Sequence, residues 1–105
     1  MDKELLFKPR LPEAEVELEV GTIRVRGLTR AEAMIVQNEK GTAAIERKML
    51  HFAMLDPEVT EAEAGQWQKA SPVGELETVT KKIQELSGML EAADKAAYKS
   101  DGEES

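Results

Sequence analysis

A chain of 105 residues fits one domain and leaves no room for two. Its 14 Lys and Arg against 21 Asp and Glu give a net charge of −7, a field that repels phosphate backbones and anionic membranes, so neither nucleic acid nor a membrane is an expected partner. Zero cysteines exclude a disulfide framework, a thiol nucleophile and a thiolate metal site; the 41% of hydrophobic residues provide for a core, and only 4% are aromatic, too few for extended stacking on bases or sugars.

Residues 1–12 are expected to form an extended arm. Pro9 and Pro12 remove backbone donors and bias Lys8 and Leu11 away from helical conformations. The apolar run Leu5-Leu6-Phe7 is too short for the core of a signal peptide, and no apolar stretch approaches membrane-spanning length.

From Glu13 the pattern alternates. Val16, Leu18 and Val20 interleave with Glu15, Glu17 and Glu19, and Ile23 and Val25 interleave with Arg24 and Arg26. Period-2 alternation predicts two strands, each with one buried face, and Gly21-Thr22 between them predicts the turn of a β-hairpin. The glutamates of one strand then face the arginines of the other, which stabilises the register. A lone hairpin is marginal in water, so helices or another molecule must cover its apolar face.

Thr29-Arg30-Ala31-Glu32 has the spacing of a capping box and opens a helix to about Asn38, with Ala33, Met34 and Ile35 among its apolar residues. Gly41 marks a break. A second helix is predicted over about Ala43 to Leu55, with Ile45, Met49, Phe52 and Ala53 on one stripe, and Asp56-Pro57 ends it. Thr60-Glu61-Ala62-Glu63 is a second capping box, opening a short helix that carries Trp67. Ser71-Pro72 reads as a capping hydroxyl followed by a proline at the first helical position. The helix it starts, to about Ser87, places Val73, Leu76, Val79, Ile83 and Leu86 at spacings of three and four. Gly88 weakens or ends that helix, Met89 to Tyr98 is expected to add a turn or two, and residues 99–105 are expected to form a disordered acidic tail. The expected architecture is α+β: an N-terminal β-hairpin followed by a compact bundle of about four helices, in a single domain over residues 13–98.

Chemistry is hard to place on this chain. His51 is the one histidine, and mid-helix beside Arg47 and Leu55 it reads as a partly exposed helix residue. With no cysteine, it cannot assemble a zinc site, and the acids Asp56, Glu58, Glu61 and Glu63 are accounted for by the positive end of a helix. The glycines form no phosphate loop. No catalytic residue, metal or cofactor is expected, and the chain does not read as an enzyme. The apolar residues Met49, Phe52, Trp67, Val79 and Ile83 supply either core or a groove for a partner helix.

Several stretches in order resemble the tail assembly chaperones of long-tailed phages and prophages, especially those of actinobacterial and other Gram-positive hosts. They are Arg10-Leu11-Pro12-Glu13 with Gly21-Thr22-Ile23-Arg24-Val25-Arg26-Gly27-Leu28-Thr29-Arg30-Ala31-Glu32; Glu46-Arg47-Lys48-Met49-Leu50 with Ala53-Met54-Leu55-Asp56-Pro57; and Val59-Thr60-Glu61-Ala62-Glu63 with Trp67-Gln68, Ala70-Ser71-Pro72-Val73-Gly74-Glu75-Leu76-Glu77 and Ile83-Gln84-Glu85-Leu86-Ser87-Gly88. They are capping, turn and core residues, and their order and spacing carry the resemblance. It implies a late protein that binds the tape measure protein, keeps it soluble, recruits major tail tube subunits and leaves as the tube polymerises. It also implies a frameshift-extended form sharing this domain, a place in the host cytoplasm and absence from the mature virion. A structural tail-completion or head–tail connector protein is the alternative. A free hairpin edge would allow homo-oligomers.

Overall fold

The computed structural model describes residues 1–89. The helical turns expected over Met89 to Tyr98, apart from Met89 itself, and the expected acidic tail lie outside the described residues. Within them the chain forms a β-hairpin followed by four helices, an α+β arrangement as the alternation and capping patterns predict.

The hairpin joins β1 (Glu13–Leu18) to β2 (Gly21–Arg26), antiparallel, with Val16 opposite Ile23 and Leu18 opposite Gly21. The turn is therefore Glu19-Val20 rather than the expected Gly21-Thr22. Val20, expected on the apolar face of the first strand, sits at the turn 87% exposed. Gly21 opens the second strand instead of bending the chain. The charge pairing also differs from simple cross-strand opposition. Arg24 lies opposite Glu15 but pairs diagonally with Glu13, and Arg26, opposite Glu13, turns away to Glu32. Long side chains reach diagonal neighbours, so the facing position does not decide the partner.

A short third strand, β3 (Met54–Asp56), joins the sheet in the order β1-β2-β3, antiparallel to β2 with a register shift beside Arg24 and Val25. The periodicity carried the preceding helix on to Leu55. In the structure it stops at Ala53, because Met54 turns extended and its side chain is buried in the sheet. Strand pairing overrides helix propensity there, as tertiary context commonly does. The arm carries a one-turn helix, α1 (Glu4–Phe7), where an extended segment was expected. Both prolines lie beyond it, so nothing in those four residues prevents the turn.

The helices begin largely where their caps predict. In α2 (Arg30–Asn38) the Thr29 hydroxyl accepts from the Glu32 N–H at 3.0 Å, and the Glu32 carboxylate accepts from the Thr29 N–H at 3.0 Å. In α4 (Glu61–Ala70) the same reciprocal pair joins Thr60 and Glu63 at 2.9 and 3.1 Å. Between them, α3 (Thr42–Ala53) starts after Gly41, whose φ of +93° most side chains would not tolerate. The helix after α4 is α5 (Val73–Leu86), with Pro72 at its N-cap. Ser71 does not cap α5 as expected. Its hydroxyl donates backwards to the Trp67 carbonyl at 2.8 Å and closes α4 instead.

The core lies between the sheet and the helices, with Leu50, Ile83, Val25, Val36 and Val79 as its fully buried larger side chains. Sheet and bundle are tied by α5, which packs on both β1 and α3. Lys48 draws the end of α2 to the start of α4 through Glu39 at 3.7 Å and Glu61 at 2.6 Å; the bond to Glu61 raises the Lys48 pKa and lowers that of Glu61.

Candidate functional site

Of the five apolar residues expected to form core or groove, three are core. Val79 and Ile83 are fully buried, and Met49 is 3% exposed. Phe52 and Trp67 are half-buried and pack against that core. The Trp67 indole N–H donates to the Glu75 carboxylate at 2.7 Å, so the ring is held across the α4–α5 junction rather than presented to solvent. The five do not form one continuous exposed groove. Val73, expected on the buried stripe of α5, is 90% exposed because that stripe meets the core only from Leu76 onward.

His51 lies exposed on α3, its ring 5.6 Å from that of Phe52. Its Nδ1 is 2.9 Å from the Val59 carbonyl; a carbonyl can only accept, so Nδ1 carries the proton in that bond. This braces the turn between β3 and α4. Among the described residues no three His, Asp or Glu side chains gather closely enough to hold a metal, and no helix is long and apolar enough to cross a membrane.

The exposed apolar material lies elsewhere. Leu5 and Leu6 are half exposed and Phe7 is 74% exposed on the arm; Met34 and Ile35 are exposed on α2. Between the arm and the start of α2 runs an open groove of about 540 Å³. Leu6, Phe7 and Leu11 line one side, Leu28 and Thr29 the other, and Lys8, Arg10 and Arg30 also line it. Met34 follows Arg30 by four residues and shares its face of α2, so an exposed apolar side chain stands one turn beyond the groove. On a chain of net charge −7 this groove is locally basic and apolar. Its sequence signal was the run Leu5-Leu6-Phe7 next to two prolines: apolar residues in a segment with no periodicity to bury them.

A second groove of about 540 Å³ lies along β1, lined by Glu15, Val16 and Glu17 from the strand and Thr78, Lys81, Lys82 and Glu85 from α5. Arg26 sits near the other end of the sheet, its guanidinium 2.8 and 2.9 Å from the two oxygens of Glu32. That bidentate bond holds the Glu32 carboxyl below its ordinary range and raises the Arg26 pKa against the opposing effect of burial. Arg26 is thus a structural cation committed to the capping box.

No protein-family model, curated protein or solved structure matches the chain.

Proposed function

We propose that the protein is a tail assembly chaperone that binds the tape measure protein and keeps it soluble while tube subunits assemble around it. The observation that carries the reading is the groove between the arm and α2, where Leu6 and Phe7 are exposed, with half-buried Leu11, beside Lys8, Arg10 and Arg30. A long helical client exposes apolar stripes before the tube encloses it. Exposed leucine and phenylalanine side chains can cover such a stripe, while the overall negative charge keeps the complex soluble. Many weak contacts along one long client permit release when the tube polymerises. The ordered stretches that resemble the chaperone family support the same reading.

The test is co-expression with the long helical protein encoded just downstream, scoring its solubility and co-purification. The chaperone reading expects a soluble complex with many copies of this chain per client. It also expects the complex to be lost on Phe7→Asp with Leu6→Asp, changes at exposed positions that leave the fold intact. An insoluble downstream protein, with this chain recovered in purified particles, would instead identify a structural tail-completion or connector component.

A further inference from the structure

Among the described residues the sheet ends on β1, which has a neighbour on one side only. In an antiparallel pair the residues that exchange hydrogen bonds alternate with those whose N–H and C=O point away. The Gly27 N–H donates to the Pro12 carbonyl at 3.0 Å, which sets the phase: Pro12, Ala14, Val16 and Leu18 bond towards β2. The backbone groups of Glu13, Glu15 and Glu17 therefore face the open edge. Among the described residues they make no backbone hydrogen bond outside the sheet. Beside that edge runs the groove whose floor is Val16 and whose far wall is α5, from Thr78 to Glu85. A row of unpaired donors and acceptors next to a helix-walled trough is the geometry that accepts an added strand.

We propose that this edge binds an extended segment of a partner protein in which basic residues alternate with β-branched apolar ones. The charges select that chemistry. Glu15 and Glu17 are in no ion pair among the described residues, and Glu13 has only Arg24; Lys81 and Lys82 on the far wall lie beyond ion-pairing distance of both, with Lys82 bound to Glu85 on its own helix. A second copy of β1 is the wrong occupant, because antiparallel self-pairing sets Glu13 against Glu17 and Glu15 against Glu15, and opposed like charges destabilise a sheet. The right complement already exists on the strand's other side. There β2 runs Thr22-Ile23-Arg24-Val25-Arg26 antiparallel to β1, with its arginines on the carboxylate face and Ile23 and Val25 in the core. An incoming strand of the same pattern would set its cations beside Glu15 and Glu17 and its apolar residues over Val16. This surface is separate from the arm groove and does not depend on the client assigned there.

The experiment uses the full chain and a fluorescently labelled peptide of alternating arginine and valine, followed by anisotropy and by amide exchange. Saturable binding is expected, with new protection confined to the amides of Glu13, Glu15 and Glu17. Charge reversal by Glu15→Lys with Glu17→Lys, both exposed, is expected to weaken it roughly tenfold or more. A peptide N-methylated on alternate residues keeps its charge but cannot pair its backbone, and is expected not to bind. The proposal is overturned if the N-methylated peptide binds equally well, if the reversed variant binds unchanged, if protection appears elsewhere, or if the chain alone dimerises with protection at the same three amides.

Discussion

The backbone N–H of Leu28 donates to the Ser87 hydroxyl at 2.7 Å, and that hydroxyl donates in turn to the Ile83 carbonyl at 2.6 Å. Residues far apart in the chain thus close the sheet onto the last turn of α5. The approach is tight because Gly27 has no side chain: a Cβ there would stand 2.6 Å from the Leu86 carbonyl oxygen and 2.8 Å from its carbon. Backbone cannot move aside as a flexible side chain does. Gly27→Ala is expected to cost about 2–3 kcal/mol, in the range of overpacked core sites. Ser87→Ala, which orphans the Leu28 N–H, is expected to cost about 1–2 kcal/mol. Urea denaturation followed by circular dichroism measures both, and a Gly27→Ala protein as stable as the parent would mean the two segments are not held this close.

The Arg26–Glu32 bond carries a pH dependence whose sign follows from its direction. The carboxyl of Glu32 is held below its ordinary range by Arg26, with the Thr29 N–H contributing. A group with a lowered folded pKa contributes stability that is fully present above its unfolded value, about 4.3, and is lost as pH falls through the folded value. The parent is therefore expected to lose stability below about pH 4.5. Glu32→Gln is expected to remove about 1–2 kcal/mol at neutral pH and to flatten part of the acid slope. Midpoints of chemical denaturation between pH 2.5 and pH 7, approximate limits that bracket the carboxylate range, decide it; parallel curves for the two proteins would refute the assignment.

The two capping boxes and the strand alternation, both local in sequence, read correctly, whereas the cap expected from Ser71 and features that depend on the folded neighbourhood did not. Two capping boxes are each written within four residues, and both form. The alternation from Glu13 to Arg26 is likewise local, and the hairpin follows it. The exact turn was not legible: Gly21 looks like a turn residue, yet the register that buries Val16 against Ile23 forces the bend onto Glu19-Val20. The strand Met54–Asp56 is written in helix-compatible residues, and only the free edge of β2 selects its conformation. Periodicity showed that Val79 and Ile83 share a face, but not whether a partner or this chain covers it. For Leu6 and Phe7 the one signal was indirect: an apolar run with no period shows no face to bury, and does not say what lies beside it.

Trp67 gives a direct report on the α4–α5 junction, since it is the one tryptophan in the chain. Its indole N–H is held by the Glu75 carboxylate at 2.7 Å, and Glu75 is itself half-buried. Glu75→Ala removes the acceptor and opens the ring to water. The emission is expected to shift to longer wavelength, with a stability loss of about 1–2 kcal/mol. Glu75→Gln keeps an acceptor oxygen and is expected to lie between the two. Unchanged emission in Glu75→Ala would show that the junction does not depend on this bond.

The separation of core from accessible surface can be tested with one matched pair. Ile83 is fully buried where α5 meets the sheet, whereas Phe7 is 74% exposed on the arm. Truncating Ile83 to alanine removes apolar area and leaves a cavity that close-packed neighbours fill only in part, a cost of about 2–5 kcal/mol. Phe7→Asp removes no buried contact and is expected to change stability by less than about 0.5 kcal/mol. Partner binding should respond in the opposite order. If Phe7 belongs to the client surface, Phe7→Asp weakens co-purification with the chain fully folded. Any loss of binding in Ile83→Ala should then track the unfolded fraction and return when the protein is assayed at lower urea or with a stabilising osmolyte. Equal losses of binding in two folded variants would place the contact on α5 instead of the arm.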